Sequence, residues 1–331
     1  MISLWDTTGT EVVQALAAER RSAGGVASGI ALTLIVVVDE KRVREAEAAA
    51  TVAAATHPCR LLVVVRSDID RPDRLDAEIV VGGRLGPCEA VVMRMSGRLA
   101  LHAESVVMPL LVPDVPVVTW WHSEPPEEIA TDFLGVVADR RITDCAQAPN
   151  PIAALRQRAL DYHPGDTDLA WTRITPWRTL VASAFDTTEA RITGATVVAP
   201  PNDPTAALMS SWLTARLGIT PHWEETTEVP WMRSVKVHCA NGEEVTLTRE
   251  NGSAIFTRSG QQDRHLPLVR RSLGEELAEE LRRLDADQIY ADALSALTGI
   301  SGLQSRPARR VHVWRDPMLA RRAEDATPAR P

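Results

Sequence analysis

The sequence contains few cysteines, and none of them has the spacing of a metal or redox site. No CxxC pair occurs among the four, which are Cys59, Cys88, Cys145 and Cys239. Such isolated cysteines indicate neither a disulfide framework nor a zinc ribbon. We therefore expect reduced thiols in a cytoplasmic protein, with Cys59 and Cys88 as buried structural residues.

Long apolar runs are also missing. The longest, residues 30–38, is shorter than the roughly 20 apolar residues that span a bilayer. Near the start of the chain, Trp5-Asp6 and Glu11 interrupt any stretch of the kind found in a signal peptide. The sequence predicts a soluble cytoplasmic protein without a membrane segment.

Lysine is nearly absent, so arginine supplies almost all of the positive charge. Lys41 and Lys236 are the two lysines of the chain, whose net charge is −8. An acidic chain lacks the basic face that nonspecific binding of nucleic acid requires. We expect no nucleic-acid partner.

The common catalytic and cofactor-binding motifs are absent. The glycine-rich segment 82–87 leads into another predicted strand, which indicates a turn and not a dinucleotide-binding loop. Walker A, HExxH and GxSxG motifs are missing, and the HxE at His102 to Glu104 lacks the PCxxC of zinc deaminases. We predict no catalytic residue, cofactor or metal site. Scattered side chains leave no linear trace, however, and four histidines could still converge: His122, His163, His222 and His238.

Hydrophobic periodicity predicts an α/β first half. Strands are expected at residues 30–38, 61–65, 77–81 and 90–95. Helices are expected at residues 6–22, 39–56 and 99–111, with a short one opening at 124–128 and another beginning at Asn150-Pro151. The first two strands and the helix between them form a βαβ unit with parallel strands. The next two strands form a hairpin.

Residues 108–122, MPLLVPDVPVVTWWH, have the most distinctive composition. Three prolines prevent a regular helix from running through the segment. The apolar residues 117–121 that follow predict a short strand covered on both faces. Because Trp120 and Trp121 are adjacent in this strand, we expect their side chains to point to opposite faces.

The second half of the sequence predicts a mixture of helices and an antiparallel meander. Expected strands are residues 195–198, 234–239, 245–248 and 253–257, with turns at Asn241-Gly242 and Asn251-Gly252. Two expected helices run from Thr175-Pro176 to Phe185 and from Asp203-Pro204 to Gly218. A third begins at a capping box formed by Ser272 and Glu275, and a fourth covers residues 286–297.

These elements define an α/β fold, α+β in the second half, with two domains. Residues 1–165 form an N-terminal α/β domain with a mixed sheet that contains the βαβ unit. Residues 166–303 form a smaller C-terminal α/β domain with the meander and two terminal helices. Residues 304–331, rich in Arg, Pro and Ala, are expected to be a disordered tail.

Tryptophan and arginine, the residue types that dominate protein interfaces, cluster in two segments. We predict a partner interface formed by Trp120, Trp121, Trp171, Arg173, Trp177 and Arg178. Two alternatives stay open. The indoles could join the two domain cores, and the two arginines could form local ion pairs with Asp166 or Asp168.

Three separated segments resemble one family. Residues 109–121 (PLLVPDVPVVTWW), 140–144 (RRITD) and 168–178 (DLAWTRITPWR) are similar to the OpcA family, the glucose-6-phosphate dehydrogenase assembly proteins of actinobacteria and cyanobacteria. Residues 5–13 (WDTTGTEVV) and 76–83 (DAEIVVGG) fit the same pattern. The resemblance covers roughly residues 1–300 and excludes the tail.

The resemblance implies a non-enzymatic protein that works on a partner enzyme. It would bind glucose-6-phosphate dehydrogenase, promote its active oligomer or raise its activity, and so support NADPH production in the oxidative pentose phosphate pathway. The alternative is an enzyme or small-molecule-binding protein acting on a sugar phosphate or nucleotide. This alternative rests on the α/β first half, because ligand crevices form at the carboxyl ends of parallel strands.

Overall fold

A computed structural model describes residues 1–22, 29–82, 88–185, 190–250, 252–307 and 311–314. Two mixed β-sheets with helices packed against them confirm the predicted α/β class. The predicted turns at 83–87 and at Asn251 lie outside the described residues. In the described ranges, no helix has both the length and the apolar character needed to cross a membrane.

The first sheet contains eight strands in the described part of the chain. They are β1 (Ile2–Leu4), β2 (Leu32–Val38), β3 (Cys59–Arg66), β4 (Arg74–Val81), β5 (Glu89–Ser96), β6 (Val117–Trp121), β7 (Arg140–Thr143) and β8 (Asp166–Asp168). Their order is β1-β4-β5-β3-β2-β6-β7-β8. From β5 to β8 neighbouring strands are parallel, whereas β1, β4 and β5 pair antiparallel. The predicted βαβ unit and the antiparallel pairing of β4 with β5 are both confirmed.

The α-helices in the described residues are α1 (Gly9–Ser22), α2 (Val43–Ala54), α3 (Glu104–Val107), α4 (Phe133–Val136), α5 (Pro151–Asp161), α6 (Leu169–Arg173), α7 (Thr175–Phe185), α8 (Pro204–Leu217), α9 (Leu273–Leu281) and α10 (Gln288–Thr298). Helices α4, α5, α6, α8, α9 and α10 each begin after a residue whose side chain caps the first turn. The Asn150 side chain accepts a hydrogen bond from the backbone N–H of Ala153 at the start of α5. Ser272 and Glu275 form the predicted capping box of α9.

Two predicted helices are wrong. The helix expected over 99–111 is broken into 3₁₀ turns and the one-turn α3, because His102 leaves helical geometry with φ −117° and ψ 42°. No helix opens at 124–128. The consecutive prolines Pro125 and Pro126 favour extended backbone before them, and the next helix is α4.

The second sheet contains the predicted meander. Its strands are β9 (Ile192–Ala199), β10 (His222–Glu225), β11 (Ser234–Cys239), β12 (Glu244–Glu250), β13 (Ser253–Arg258) and β14 (Arg264–Pro267), in the order β10-β9-β11-β12-β13-β14. Strands β11, β12 and β13 pair antiparallel as expected, and β10 pairs parallel with β9. Strands β10 and β14 were not predicted from the sequence.

The first sheet has an apolar core on each face. The adjacent residues Trp120 and Trp121 belong to different cores. Trp120 packs with α2 and α9 on one face. Trp121 packs on the other face with α1 and the turns of residues 97–110. The predicted opposite orientation of the two indoles is therefore confirmed.

The two halves of the chain exchange helices. Helix α5, from the first half, contributes Leu155 and Ala159 to the core of the second half. Helix α9, from the second half, contributes Leu277 and Leu281 to the core beneath the first sheet. Strand β8 belongs to the first sheet. The predicted boundary between residues 165 and 166 is thus not a boundary between packed cores.

Part of the predicted disordered tail is attached to the body of the protein. Arg306 donates hydrogen bonds to the carbonyl oxygens of Leu160 and Tyr162, at 2.8 and 2.9 Å, where α5 ends. Further along, the Val313 N–H donates to the Thr131 carbonyl oxygen at 3.1 Å. These contacts belong to residues 304–307 and 311–314, and the rest of the predicted tail lies outside the described residues.

Close contact between α2 and α9 requires glycine at position 274. A Cβ on Gly274 would lie 2.6 Å from the Val52 Cβ and 2.9 Å from the Ala49 carbonyl oxygen. Replacing Gly274 with Ala should lower the free energy of unfolding by about 1–3 kcal/mol through overpacking, although alanine favours helix by about 1 kcal/mol. Chemical denaturation measures the change.

The matched control is Gly9→Ala at the start of α1, where the nearest atom to a new Cβ would be 3.5 Å away. This variant should be as stable as the original protein or more stable. Equal stabilities for the two variants would contradict the tight contact between α2 and α9.

Candidate functional site

The four tryptophans predicted at an interface lie inside the protein. Trp120 is 0% exposed, and Trp121, Trp171 and Trp177 are each 1% exposed. Trp171 and Trp177 belong to the core of the second half. An indole with no accessible surface cannot contact a partner in this conformation, so these four residues are core residues, which corrects their assignment to an interface.

Arg173 forms ion pairs, but with other partners than Asp166 and Asp168. Its Nη1 and Nη2 atoms donate to the two carboxylate oxygens of Asp144 at 2.6 and 2.8 Å. Its Nε donates to Glu276 on α9 at 3.0 Å. Burial alone would lower the pKa of Arg173, but the hydrogen bonds and charges of the two carboxylates outweigh it and raise that pKa. Arg173 thus holds together segments from both halves.

Arg178 is held by an aromatic ring and a hydroxyl group. Its Cζ lies 3.5 Å from the centroid of the Trp171 ring, and its Nη2 donates to Thr175 Oγ1 at 2.8 Å. Burial lowers the pKa of Arg178 to about 10, which leaves it charged at neutral pH. Asp166 pairs instead with Arg141. The predicted local ion pair is therefore wrong for Arg178 as well.

Other polar contacts make the segment around α6 a junction of the two halves. The Trp171 indole Nε1–H donates to Asp287 at 2.8 Å. The Glu280 carboxylate of α9 accepts hydrogen bonds from Thr172 on α6 and from Arg140 on β7. Residues 168–178, which carry part of the family resemblance, therefore connect elements of both halves inside the protein.

A cleft with a volume of about 450 Å³ lies beyond the carboxyl ends of β7, β8 and β9. Its walls come from the turn after β7, the α6–α7 junction, the β9–α8 turn, and the segments before β11 and α9. Its lining residues include Arg173, Trp177, Trp231, Arg249, Arg270 and Glu276. This is the kind of position that the small-molecule alternative predicted, at the carboxyl ends of parallel strands.

Sequence reasoning missed Arg249, Arg270 and Trp231, which come from separate segments. Arg249 lies on β12, and Arg270 lies in the connection before α9. Trp231 follows Pro230, and this Pro-Trp pair was the available signal, since it repeats the pairing of proline and tryptophan seen at Pro176-Trp177.

The histidines named in the sequence analysis lie on different elements. His122 follows β6 and contacts Glu45 at 3.1 Å, whereas His238 on β11 contacts Glu244 at 3.0 Å. The described residues contain no group of three or more His, Cys, Asp or Glu side chains positioned to hold a metal. All four cysteines are buried and none is in a disulfide.

Two exposed indoles replace the buried ones as candidates for contact with a partner. Trp5 is 65% exposed and Trp314 is 44% exposed. The Trp314 ring stacks on His102, with centroids 5.4 Å apart. Trp5 directly follows β1, which in the described part of the chain pairs with β4 alone and so forms an edge of the first sheet.

Two family models match consecutive parts of this chain. The glucose-6-phosphate dehydrogenase subunit N-terminal domain matches residues 50–160, and the corresponding C-terminal domain matches residues 164–294. Both models are those of OpcA. The chain belongs to the OpcA family. The predicted resemblance is confirmed, and the division between the models falls next to the predicted boundary at residue 165.

Curated relatives support this membership over part of their length. OxPP cycle protein OpcA of Synechococcus elongatus is 30% identical over 188 residues, which cover 51% of this chain and 42% of the relative. The protein of the same name from Synechocystis sp. is 27% identical over 193 residues, covering 54% and 41%. The match therefore spans about two fifths of each relative.

A solved structure is also similar at a low level. An NAD binding oxidoreductase from Klebsiella pneumoniae is 10% identical, with coverage of 82% of this chain and 90% of that one. The TM-score of 0.34 is too low for any conclusion about this OpcA-family protein.

Burial of the indoles generates a stability prediction. Replacing Trp171 with Ala should lower the free energy of unfolding by about 3–5 kcal/mol, because it leaves a cavity in the core and removes the partner of Asp287. The matched change of the exposed Trp5 to Ala should cost about 0.5 kcal/mol or less. Denaturant titrations followed by far-ultraviolet circular dichroism measure both. Equal losses would contradict the burial described above.

Proposed function

We propose that this OpcA-family protein binds glucose-6-phosphate dehydrogenase and supports NADPH production in the oxidative pentose phosphate pathway. One observation carries the proposal: both halves of the chain match, in order, the two domains of a glucose-6-phosphate dehydrogenase subunit family. The names of the cyanobacterial relatives refer to the same pathway.

The proposed role is that of a non-catalytic activator located in the cytoplasm. A protein that binds the active oligomer of an enzyme more tightly than the inactive form shifts the equilibrium by the ratio of the two affinities. A tenfold ratio corresponds to about 1.4 kcal/mol. No bond needs to be made or broken in the activator itself.

The test combines an activity assay with a mass measurement. Adding this protein to the dehydrogenase of the same organism should raise the rate of NADPH formation saturably, and light scattering after size exclusion should detect a complex. If the rate and the oligomer mass of the dehydrogenase both stay unchanged across a range of concentrations, the proposal is wrong.

We place the contact surface around Trp5. An exposed indole beside the edge strand β1 offers a large apolar surface, and tryptophans that become buried on binding are enriched among hot spots. Trp5→Ala should weaken binding to the dehydrogenase by about 1–2 kcal/mol, roughly 5–30-fold. Surface plasmon resonance with immobilised dehydrogenase measures the affinity.

Trp314→Ala is the matched control, because it removes the other exposed indole. It should leave the affinity within about twofold of the original value. If Trp314→Ala weakens binding and Trp5→Ala does not, the interface lies around Trp314 and not around Trp5.

A further inference from the structure

Four arginines and three carboxylates line the cleft between the two halves: Arg173, Arg249, Arg270 and Arg271, with Glu45, Asp203 and Glu276. Its carboxylates already have partners. Glu45 contacts His122, Asp203 accepts hydrogen bonds from Thr205 and from the backbone at the start of α8, and Glu276 holds Arg173. Arg271 lies 3.8 Å from Glu279.

Arg249 and Arg270 differ from these residues. Neither side chain forms a hydrogen bond or ion pair with another residue of the described chain, and the Arg249 Nε is buried without a partner. Burial raises the pKa of the Glu276 carboxyl group by more than the charges of Arg173 and, to a smaller extent, Arg270 lower it. This carboxylate already binds Arg173. The two guanidinium groups therefore face the cleft without an anion of their own.

Each of these guanidinium groups lies over an indole ring. The Cζ of Arg249 is 5.1 Å from the centroid of the Trp177 ring, and the Cζ of Arg270 is 4.8 Å from that of Trp231. Stacking of this kind restricts a guanidinium group and leaves its N–H edge free to bind an anion. Burial, and then repulsion by Arg270, lower the pKa of Arg249 to about 10, so the Arg249 guanidinium group is charged at neutral pH.

We propose that this cleft binds a phosphorylated small molecule, with its phosphate held between Arg249 and Arg270. Two guanidinium groups match the double charge and several oxygens of a phosphate monoester better than a single carboxylate group. The volume of about 450 Å³ accommodates a sugar phosphate or a mononucleotide. Apolar surface for the rest of the ligand comes from the indoles and from Pro200, Pro201 and Pro230.

The ligand site is independent of the proposed binding to the dehydrogenase. Trp5 and β1 lie at the β1 edge of the first sheet, at the opposite end of the strand order from β7 and β8. The site can therefore be tested on this protein alone, and its failure leaves the proposed function untouched.

The experiment is isothermal titration of the full chain with four probes. We use glucose 6-phosphate, AMP, citrate and unphosphorylated glucose. Saturable binding of at least one phosphorylated probe, and of neither citrate nor glucose, is the expected result. Citrate binding as tightly as the phosphorylated probes would overturn the choice of phosphate, and no binding of either phosphorylated probe would overturn the site.

Arg249→Gln tests the assigned residue. It should weaken binding of the phosphorylated probe about tenfold or more, because a charge-assisted contact is lost. Arg282→Ala on α9, whose side chain is 68% exposed, should leave that binding unchanged. Unaltered binding by Arg249→Gln, or equal weakening by both variants, would overturn the assignment.

A second readout separates a ligand-binding arginine from a structural one. Without ligand, Arg249→Gln should have a melting temperature equal to or higher than that of the original chain, because the variant removes repulsion between two unpaired charges. A clear fall would show that Arg249 stabilises the fold. If so, Arg270→Gln, in the connection before α9, must still weaken binding for the site to stand.

Discussion

The guanidinium group of Arg173 is central to the contacts that join the two halves of this protein. Arg173 is held between Asp144, which follows a strand of the first sheet, and Glu276, which lies on α9. Removing one member of such a partly buried set leaves another charge without a counter-ion, at a cost of about 3–5 kcal/mol. The arrangement therefore specifies how α6, α9 and the turn after β7 assemble, whatever its net contribution to stability.

The same junction shapes the cleft beside it. Arg173 and Glu276 line one wall of the cleft, and the hydrogen bond between their side chains holds that wall in place. The opposite situation holds for Arg249 and Arg270, which face the same space without carboxylate partners in the described chain. Arg173 thus has carboxylate partners where the two halves meet, whereas, among the described residues, Arg249 and Arg270 have none where a ligand can enter. Charged groups in such unusual surroundings are common at functional sites.

Local signals in the sequence predicted much of the fold, because caps and turns depend on neighbouring residues. The capping residues Asn150, Asp203 and Ser272, and the turn at Asn241-Gly242, all lie where expected. Strands β1 and β8, with three residues each, are too short to show a period. The burial of Trp171 could not be predicted, since tryptophan is common in both cores and interfaces. The cleft left no motif because its residues come from separate segments.

The exchange of helices has a consequence for how this protein can be divided. The matched N-terminal segment ends within α5, which packs in the core of the second half, whereas the C-terminal segment contains α9, which covers the first sheet. Either fragment alone would present an apolar surface to water. We expect the two fragments to reassociate when they are co-expressed. A fragment expressed without the other would lack the helix that covers its core. Each segment therefore needs the other to complete its core.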